Sequence, residues 1–120
     1  MTSPSPPDPR TIEAAAERLQ NLERQIAAAV VGQSAVIREL LAAAAAAGHV
    51  LLEGLPGVGK TLMVRAMAKA VGGRYARIQF TPDLMPGDLT GHAIFDLRSE
   101  RFHIRRGPIF CNILLGDEIN

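Results

Sequence analysis

The chain has 120 residues, 48% of them hydrophobic and 21% charged, and a formal net charge of +1. These values describe an ordinary soluble globular chain that is large enough for one hydrophobic core and too short for two. The nearly neutral charge gives no long-range attraction to nucleic acid or to a membrane surface, so net charge indicates neither partner.

The expected location is the cytoplasm, without membrane insertion. The single cysteine, Cys111, cannot form an internal disulfide, which favours a reducing compartment. Residues 1–9 have neither the basic start nor the apolar stretch of a signal peptide. The most apolar segment, residues 40–52, is mostly alanine and is interrupted by Gly48 and His49, whereas a membrane span needs about 20 mainly apolar residues.

The chain begins with a tail and a predicted helix. Residues 1–8 are expected to be a disordered tail, and Asp8 followed by Pro9 offers an N-cap and a first helical position. Apolar residues then recur at spacings of three and four, which predicts an amphipathic helix over residues 9–29.

The next elements alternate between helix and strand. A second helix is predicted from an N-cap at Ser34 to a C-terminal glycine, Gly48. His49–Glu53 is a short apolar run between glycines, which predicts a buried strand. A glycine-rich loop follows, and then a third helix that Gly72 ends.

The remaining sequence predicts two more strands and a hairpin. Tyr75–Phe80 and Pro108–Leu115 are apolar runs of strand length. Ala93–Phe95 and Phe102–Ile104 flank a polar stretch and predict a β-hairpin. Residues 81–91 are too rich in turn residues to form one regular element. Strands that alternate with helices predict an α/β fold with a parallel sheet.

The glycine-rich loop matches the phosphate-binding pattern GxxxxGK[ST], with a strand predicted before it and a helix after it. Glycines let successive backbone N–H groups approach phosphate oxygens, and the following helix adds its positive N-terminal end. Lys60 supplies a cation for the β- and γ-phosphates, and the Thr61 hydroxyl suits Mg²⁺. The candidate nucleotide contacts are Gly54, Leu55, Pro56, Gly57, Val58, Gly59, Lys60, Thr61 and Leu62.

Two carboxylates follow the last predicted strand. Asp117 and Glu118 come directly after an apolar run and Gly116. Ligands of open α/β sheets bind at the carboxyl ends of strands, so this pair becomes informative beside a phosphate-binding loop. We expect Asp117 to hold magnesium, directly or through water, and Glu118 with Lys60 to act catalytically, Glu118 by orienting or deprotonating the attacking water.

Four stretches together resemble the MoxR-type AAA+ ATPases: Val31–Gln33, His49–Thr61, Arg77–Gly91 and Gly107–Asn120. The resemblance covers about residues 30–120. It implies that this range is the front part of an AAA+ P-loop core, from the Walker A loop to the Walker B strand, with flanking helices and a small β-hairpin insert.

The resemblance also implies a function and partners. Such proteins are ATP-dependent, hexameric, chaperone-like machines that remodel or mature client proteins, often beside a partner with a von Willebrand A domain. By the same resemblance, Val31 and Gly32 line the adenine pocket, and the hairpin is an insertion that either contacts substrate or covers the core.

The family's strand order, 5-1-4-3-2, places the second and third strands side by side and a fourth strand between the first and third. The chain ends before the family's fourth strand, its sensors, its arginine finger and its helical lid, which we expect to be lacking. We therefore predict that these 120 residues alone are unstable and inactive, with an empty gap or a non-family pairing between the first and third strands.

Three other functions stay open. A truncated protein could bind nucleotide without turnover. A small P-loop kinase is disfavoured because the acid pair at Asp117 and Glu118 is the hydrolase pattern and no acceptor site is apparent. A DNA-unwinding relative lacks support, because no basic, aromatic-rich patch is present and no nucleic-acid partner is expected.

Overall fold

The computed structural model describes residues 8–54 and 59–119, and it divides the chain into two compact units, residues 1–71 and residues 72–120. The predicted tail over residues 1–7 lies outside the described residues, as do loop residues 55–58. No helix within the described ranges is both long enough and apolar enough to cross a membrane.

The first unit contains three helices, α1 (Pro9–Ala29), α2 (Ser34–Ala45) and α3 (Lys60–Val71). The start of α1 follows the sequence prediction: an Asp8 carboxylate oxygen accepts from the Arg10 backbone N–H at 3.0 Å. Pro9 takes the first helical position, where its missing N–H removes no helical hydrogen bond. α1 packs against both α2 and α3.

Apolar side chains of the three helices form the core of this unit. Ile26 of α1 and Ile37 of α2 are fully buried. The other buried side chains of the unit are Val30, Leu40, Leu41, Met63, Val64, Met67 and Ala68. By contrast, Ile12 near the start of α1 is 54% exposed, so the predicted stripe is buried mainly toward its carboxyl end. Burying one isoleucine fully is worth about 1.5–3 kcal/mol.

The two ends of α2 differ from the prediction. Gln33 is the N-cap and makes no side-chain capping bond, and Ser34 is already the first helical residue. The helix stops at Ala45, and Ala47, not Gly48, is the left-handed residue, with φ +52°. The Gly48 N–H donates to the Ala43 carbonyl at 2.7 Å, and the Ala47 N–H to that of Ala44 at 3.0 Å. These two hydrogen bonds form a Schellman motif, which ends the helix inside the run of alanines.

His49–Glu53 is not a strand, which contradicts the prediction. No strand of the described residues pairs with this segment, and Leu51 is 73% exposed. A strand is stable only when a neighbour accepts and donates its ladder hydrogen bonds, and an apolar run does not supply those bonds by itself. Because the predicted first strand is not formed, the predicted gap or pairing between the first and third strands cannot be assessed.

The second unit contains four strands and a short helix in its described part: β1 (Tyr75–Gln79), α4 (Pro86–Thr90), β2 (Gly91–Asp96), β3 (Arg101–Arg106) and β4 (Ile113–Asp117). β1 and β4 pair in parallel, from Tyr75 opposite Ile113 to Gln79 opposite Asp117. The predicted α/β class and parallel pairing are confirmed, and these two strands are neighbours, as the family order requires.

The last strand begins five residues later than Pro108, where the sequence placed it. Residues 108–112 instead make local turns, such as the bond from the Cys111 N–H to the Ile109 carbonyl at 2.9 Å. Asn112, the residue before β4, bridges to Arg74, the residue before β1. The Asn112 side-chain oxygen accepts from the Arg74 N–H at 2.9 Å, and the Asn112 N–H donates to the Arg74 carbonyl at 2.9 Å. Asparagine side chains compete with ladder bonds in this way, so the strand starts after Asn112.

The predicted hairpin is present, with β2 antiparallel to β3. Phe95 and Phe102 face each other across the two strands, with ring centroids 5.0 Å apart. Helix α4 was not predicted. It forms inside the turn-rich segment because the Met85 N–H donates to the Asp88 carboxylate at 2.9 Å and satisfies one donor at its start.

Candidate functional site

The phosphate-binding pattern lies at the start of α3. Gly59 has φ +75°, and its carbonyl accepts the Met63 N–H at 2.9 Å, so it starts the helix from a left-handed conformation. Among the described residues, apart from its chain neighbours, no atom lies within 4 Å of the position that a side chain would take at Gly59, so the backbone torsion is what calls for glycine. The predicted contacts Leu55, Pro56, Gly57 and Val58 lie outside the described residues.

Lys60 is the first residue of α3, and its Nζ donates to the Gly54 carbonyl at 2.9 Å. The ammonium group therefore reaches back to the residue that opens the loop. The first turn of α3 carries no acidic residue. A lysine at a helix N-terminus adds to the positive end of the helix dipole, which is locally unfavourable and suits an anionic ligand.

Four further predicted contacts lie in the same helical unit. Val31 and Gly32 form the turn between α1 and α2, where Gly32 has φ +80° and Val31 is 90% exposed. Leu62 is an exposed residue in the first turn of α3, and Thr61 is half-buried. An apolar side chain as exposed as Val31 leaves surface available to an apolar ligand group.

Asp117 ends β4, and Arg77 of β1 holds it. The Arg77 Nη2 and Nε both donate to Asp117 Oδ2, at 2.6 and 3.1 Å. This hydrogen bond, together with the negative charge of Asp117, raises the pKa of Arg77 above its already high ordinary value. The guanidinium is therefore a permanent cation next to the carboxylate that the sequence assigns to magnesium.

Glu118 follows with an unusual backbone conformation, φ +54°, which non-glycine residues rarely adopt. Its Oε2 accepts from the Gln79 Nε2 at 2.9 Å. Strain of this kind costs about 1–3 kcal/mol and is often concentrated at functional sites. Ala47 adopts a similar torsion where α2 ends, so the predicted role of Glu118 stays a prediction.

The sequence prediction missed Arg77 and Gln79. Both lie on β1 two residues apart, so they share one face of the strand, while Ile78 between them is buried on the other. The alternation of polar and apolar residues at the end of this strand could have indicated that the two polar side chains face a functional site. The strand order that the resemblance implies places β1 beside β4, but it does not give the register that brings together side chains about 40 positions apart.

The predicted site residues divide between the two units. Val31, Gly32, Gly54 and residues 59–62 belong to the first, and Asp117 and Glu118 belong to the second. In the parts of the chain that the structure describes, no group of three or more His, Cys, Asp or Glu side chains is arranged to hold a metal ion.

Known proteins resemble this chain closely. The model of the ATPase family associated with various cellular activities (AAA) matches residues 49–120. The chain is 55% identical over 91 residues to the Bacillus subtilis protein YeaC, and the aligned region covers 76% of this chain and 28% of YeaC. It is 44% identical over 115 residues to chaperone MoxR1 of Mycobacterium tuberculosis, and the aligned region covers 93% of this chain and 30% of MoxR1.

A solved structure of a candidate ATPase from Cytophaga hutchinsonii superposes with a TM-score of 0.68 at 38% identity, covering 92% of this chain and 36% of that one. The chain thus spans about a third or less of the length of these relatives. By the family match, it belongs to the AAA ATPase family. Within that family it is of the MoxR type, since relatives with that name are 42% to 48% identical to it.

Proposed function

We propose that the chain carries the nucleotide-binding front part of an ATP-hydrolysing AAA+ domain. The observation that carries this proposal is Lys60, which opens α3 with its ammonium on the Gly54 carbonyl, at a helix start without any acidic residue. The phosphates of ATP would replace that carbonyl as the partner of Lys60. The amides of the loop between Gly54 and Lys60 would bind the same oxygens.

The donor chemistry fits magnesium. Thr61 offers a hydroxyl and Asp117 a carboxylate, both hard oxygen ligands, and both side chains are only half-buried. Mg²⁺ usually takes one or two protein oxygens and completes its shell with phosphates and water, so two protein donors suffice. When bound, the ion would neutralise charge on the phosphates.

Glu118 is the proposed catalytic base. A carboxylate can accept a proton from the attacking water or orient that water, and Lys60 would stabilise the charge on the transferred phosphoryl group. In this structure the Gln79 amide holds Glu118 Oε2. Glu118 would need to turn toward water during turnover.

The proposal for the whole protein is a chaperone-like motor. It is supported by the relative named chaperone MoxR1. The subunits would form a homo-oligomer, a hexameric ring, that acts on client proteins. A von Willebrand A domain protein would be a further partner. Val31 and Gly32 would contact the adenine, and the β2–β3 hairpin would face the client or cover the core. We propose a cytoplasmic location, which is supported by the single cysteine of these 120 residues.

Two substitutions in the natural protein at full length test the site. Lys60→Ala should weaken binding of a fluorescent ATP analogue, and Lys69→Ala, at the exposed last turn of the same helix, should not. Glu118→Gln should keep binding and reduce phosphate release about 100-fold or more, because an amide cannot act as a base. Normal turnover by Glu118→Gln would remove Glu118 from the catalytic role, and equal losses in both lysine variants would remove Lys60 from the site.

A further inference from the structure

The ion pair between Arg77 and Asp117 occupies the carboxylate that the proposed function gives to a metal. Two of the three guanidinium nitrogens, Nε and Nη2, contact a single oxygen, Oδ2, the shorter contact being 2.6 Å. The register places Arg77 opposite Leu115, two residues before the end of β4, so its side chain runs along the strand to reach Asp117. Gln79, which lies directly opposite Asp117 in the register, donates its side-chain amide to Glu118.

The pair is open to solvent. The Arg77 side chain is 46% exposed and that of Asp117 is 30% exposed. Ion pairs at this exposure contribute little to stability, and a long arginine side chain can exchange its partner for water at small cost. The contact is therefore one that a stronger ligand of the carboxylate can replace.

A divalent cation and a guanidinium repel each other when they share one carboxylate oxygen. We propose that Arg77 is the counter-ion of Asp117 in the nucleotide-free protein, and that Mg²⁺–nucleotide must displace it from Oδ2. Arg77 is thus a positioning residue that sets how much magnesium the site requires. This inference rests on the proposed function, because it takes Asp117 as a magnesium ligand.

The test is a magnesium titration of the natural protein at full length, followed by the fluorescence of a bound ATP analogue. Arg77→Gln removes the competing charge, so the magnesium concentration for half-maximal binding should fall about three- to tenfold, a change of the size expected for a partly exposed ion pair. Arg77→Lys keeps a cation on β1 and should stay near the wild-type value.

Arg38→Gln is the matched control. It removes the same charge and breaks an ion pair of the same length, 2.6 Å, with Glu23 in the helical unit. Its magnesium requirement should equal that of the wild type. Arg77→Met keeps the aliphatic stem without the charge, and it replaces Arg77→Gln if that variant melts below the assay temperature.

The outcomes are separable. A magnesium requirement that is unchanged or higher in the neutral Arg77 variants would overturn the inference, because Arg77 would then be neutral toward the metal or would help Asp117 bind it. The proposed function would survive that result if the wild-type protein still bound the nucleotide in a magnesium-dependent way. Wild-type binding that ignores magnesium would overturn both.

Discussion

Nine of the ten buried apolar side chains in the described ranges belong to the helical unit, and only Ile78 belongs to the strand unit. The helices exclude water from a shared core of isoleucine, leucine, valine and methionine. The strands instead depend on backbone ladders and on the Asn112 bridge.

This difference teaches where each unit is vulnerable. A core fails when a side chain is removed and a cavity remains. A unit built on close backbone contacts fails when an atom is added between two strands or turns. The contrast leads to four predictions about stability, all for the natural protein at full length.

The largest effect is expected in the helical core. Ile37→Ala should lower the free energy of unfolding by about 3–4 kcal/mol, because its side chain is fully buried between packed helices and leaves a cavity. Ile12→Ala removes the same atoms from an exposed position of α1 and should cost less than about 1 kcal/mol. Urea denaturation measures both, and equal costs would contradict a core centred on Ile37.

The strand unit should fail by overcrowding at the base of the hairpin. A methyl group at Gly107 would overlap the Leu89 carbonyl, a backbone atom that cannot step aside. Gly107→Ala should therefore cost about 3 kcal/mol and remove hydrogen-exchange protection from β2 and β3. At Gly87, no described atom outside α4 and the flanking residues lies within 4 Å of an added methyl group, so Gly87→Ala should leave that protection intact. Retained protection in Gly107→Ala would show that the hairpin base is looser than described.

A smaller effect, of opposite sign, is expected where α2 ends. Ala47 has φ +52°, a conformation that costs an alanine more than a glycine. Ala47→Gly should therefore stabilise the protein by about 0.5–1 kcal/mol, measured as a rise in the melting temperature. Ala44→Gly, inside the helix, should destabilise it by about 1 kcal/mol. A loss of stability in both variants would exclude the left-handed conformation at Ala47.

The smallest effect concerns the exposed hairpin turn. The Arg98 backbone N–H and the Ser99 hydroxyl donate to the Asp96 carboxylate and lower its pKa. Because the folded pKa is below the unfolded value, the stabilisation is complete above the ordinary aspartate range near pH 4 and is lost as the pH falls through the lowered pKa. The Arg98 amide shift in an NMR titration should follow this change. An Asp96 pKa at or above the ordinary value would contradict it.

The features that the sequence alone predicted correctly depend on interactions between residues close together in the chain. The N-cap at Asp8 acts within two residues, the helical stripes repeat every turn, and the hairpin joins neighbouring segments. The spacing of Gly54, Lys60 and Thr61 likewise identified the candidate phosphate loop, because one short motif holds all of its parts.

Only the tertiary structure decided the features that depend on distant partners. His49–Glu53 has the composition of a strand and no partner strand in the described chain, and β4 starts where Asn112 meets Arg74. Arg77 and Gln79 could be recognised as the partners of Asp117 and Glu118 only after the register of β1 against β4 was known. Hydrogen bonds between strands are set by register, and register between segments far apart in the chain is not encoded in either segment alone.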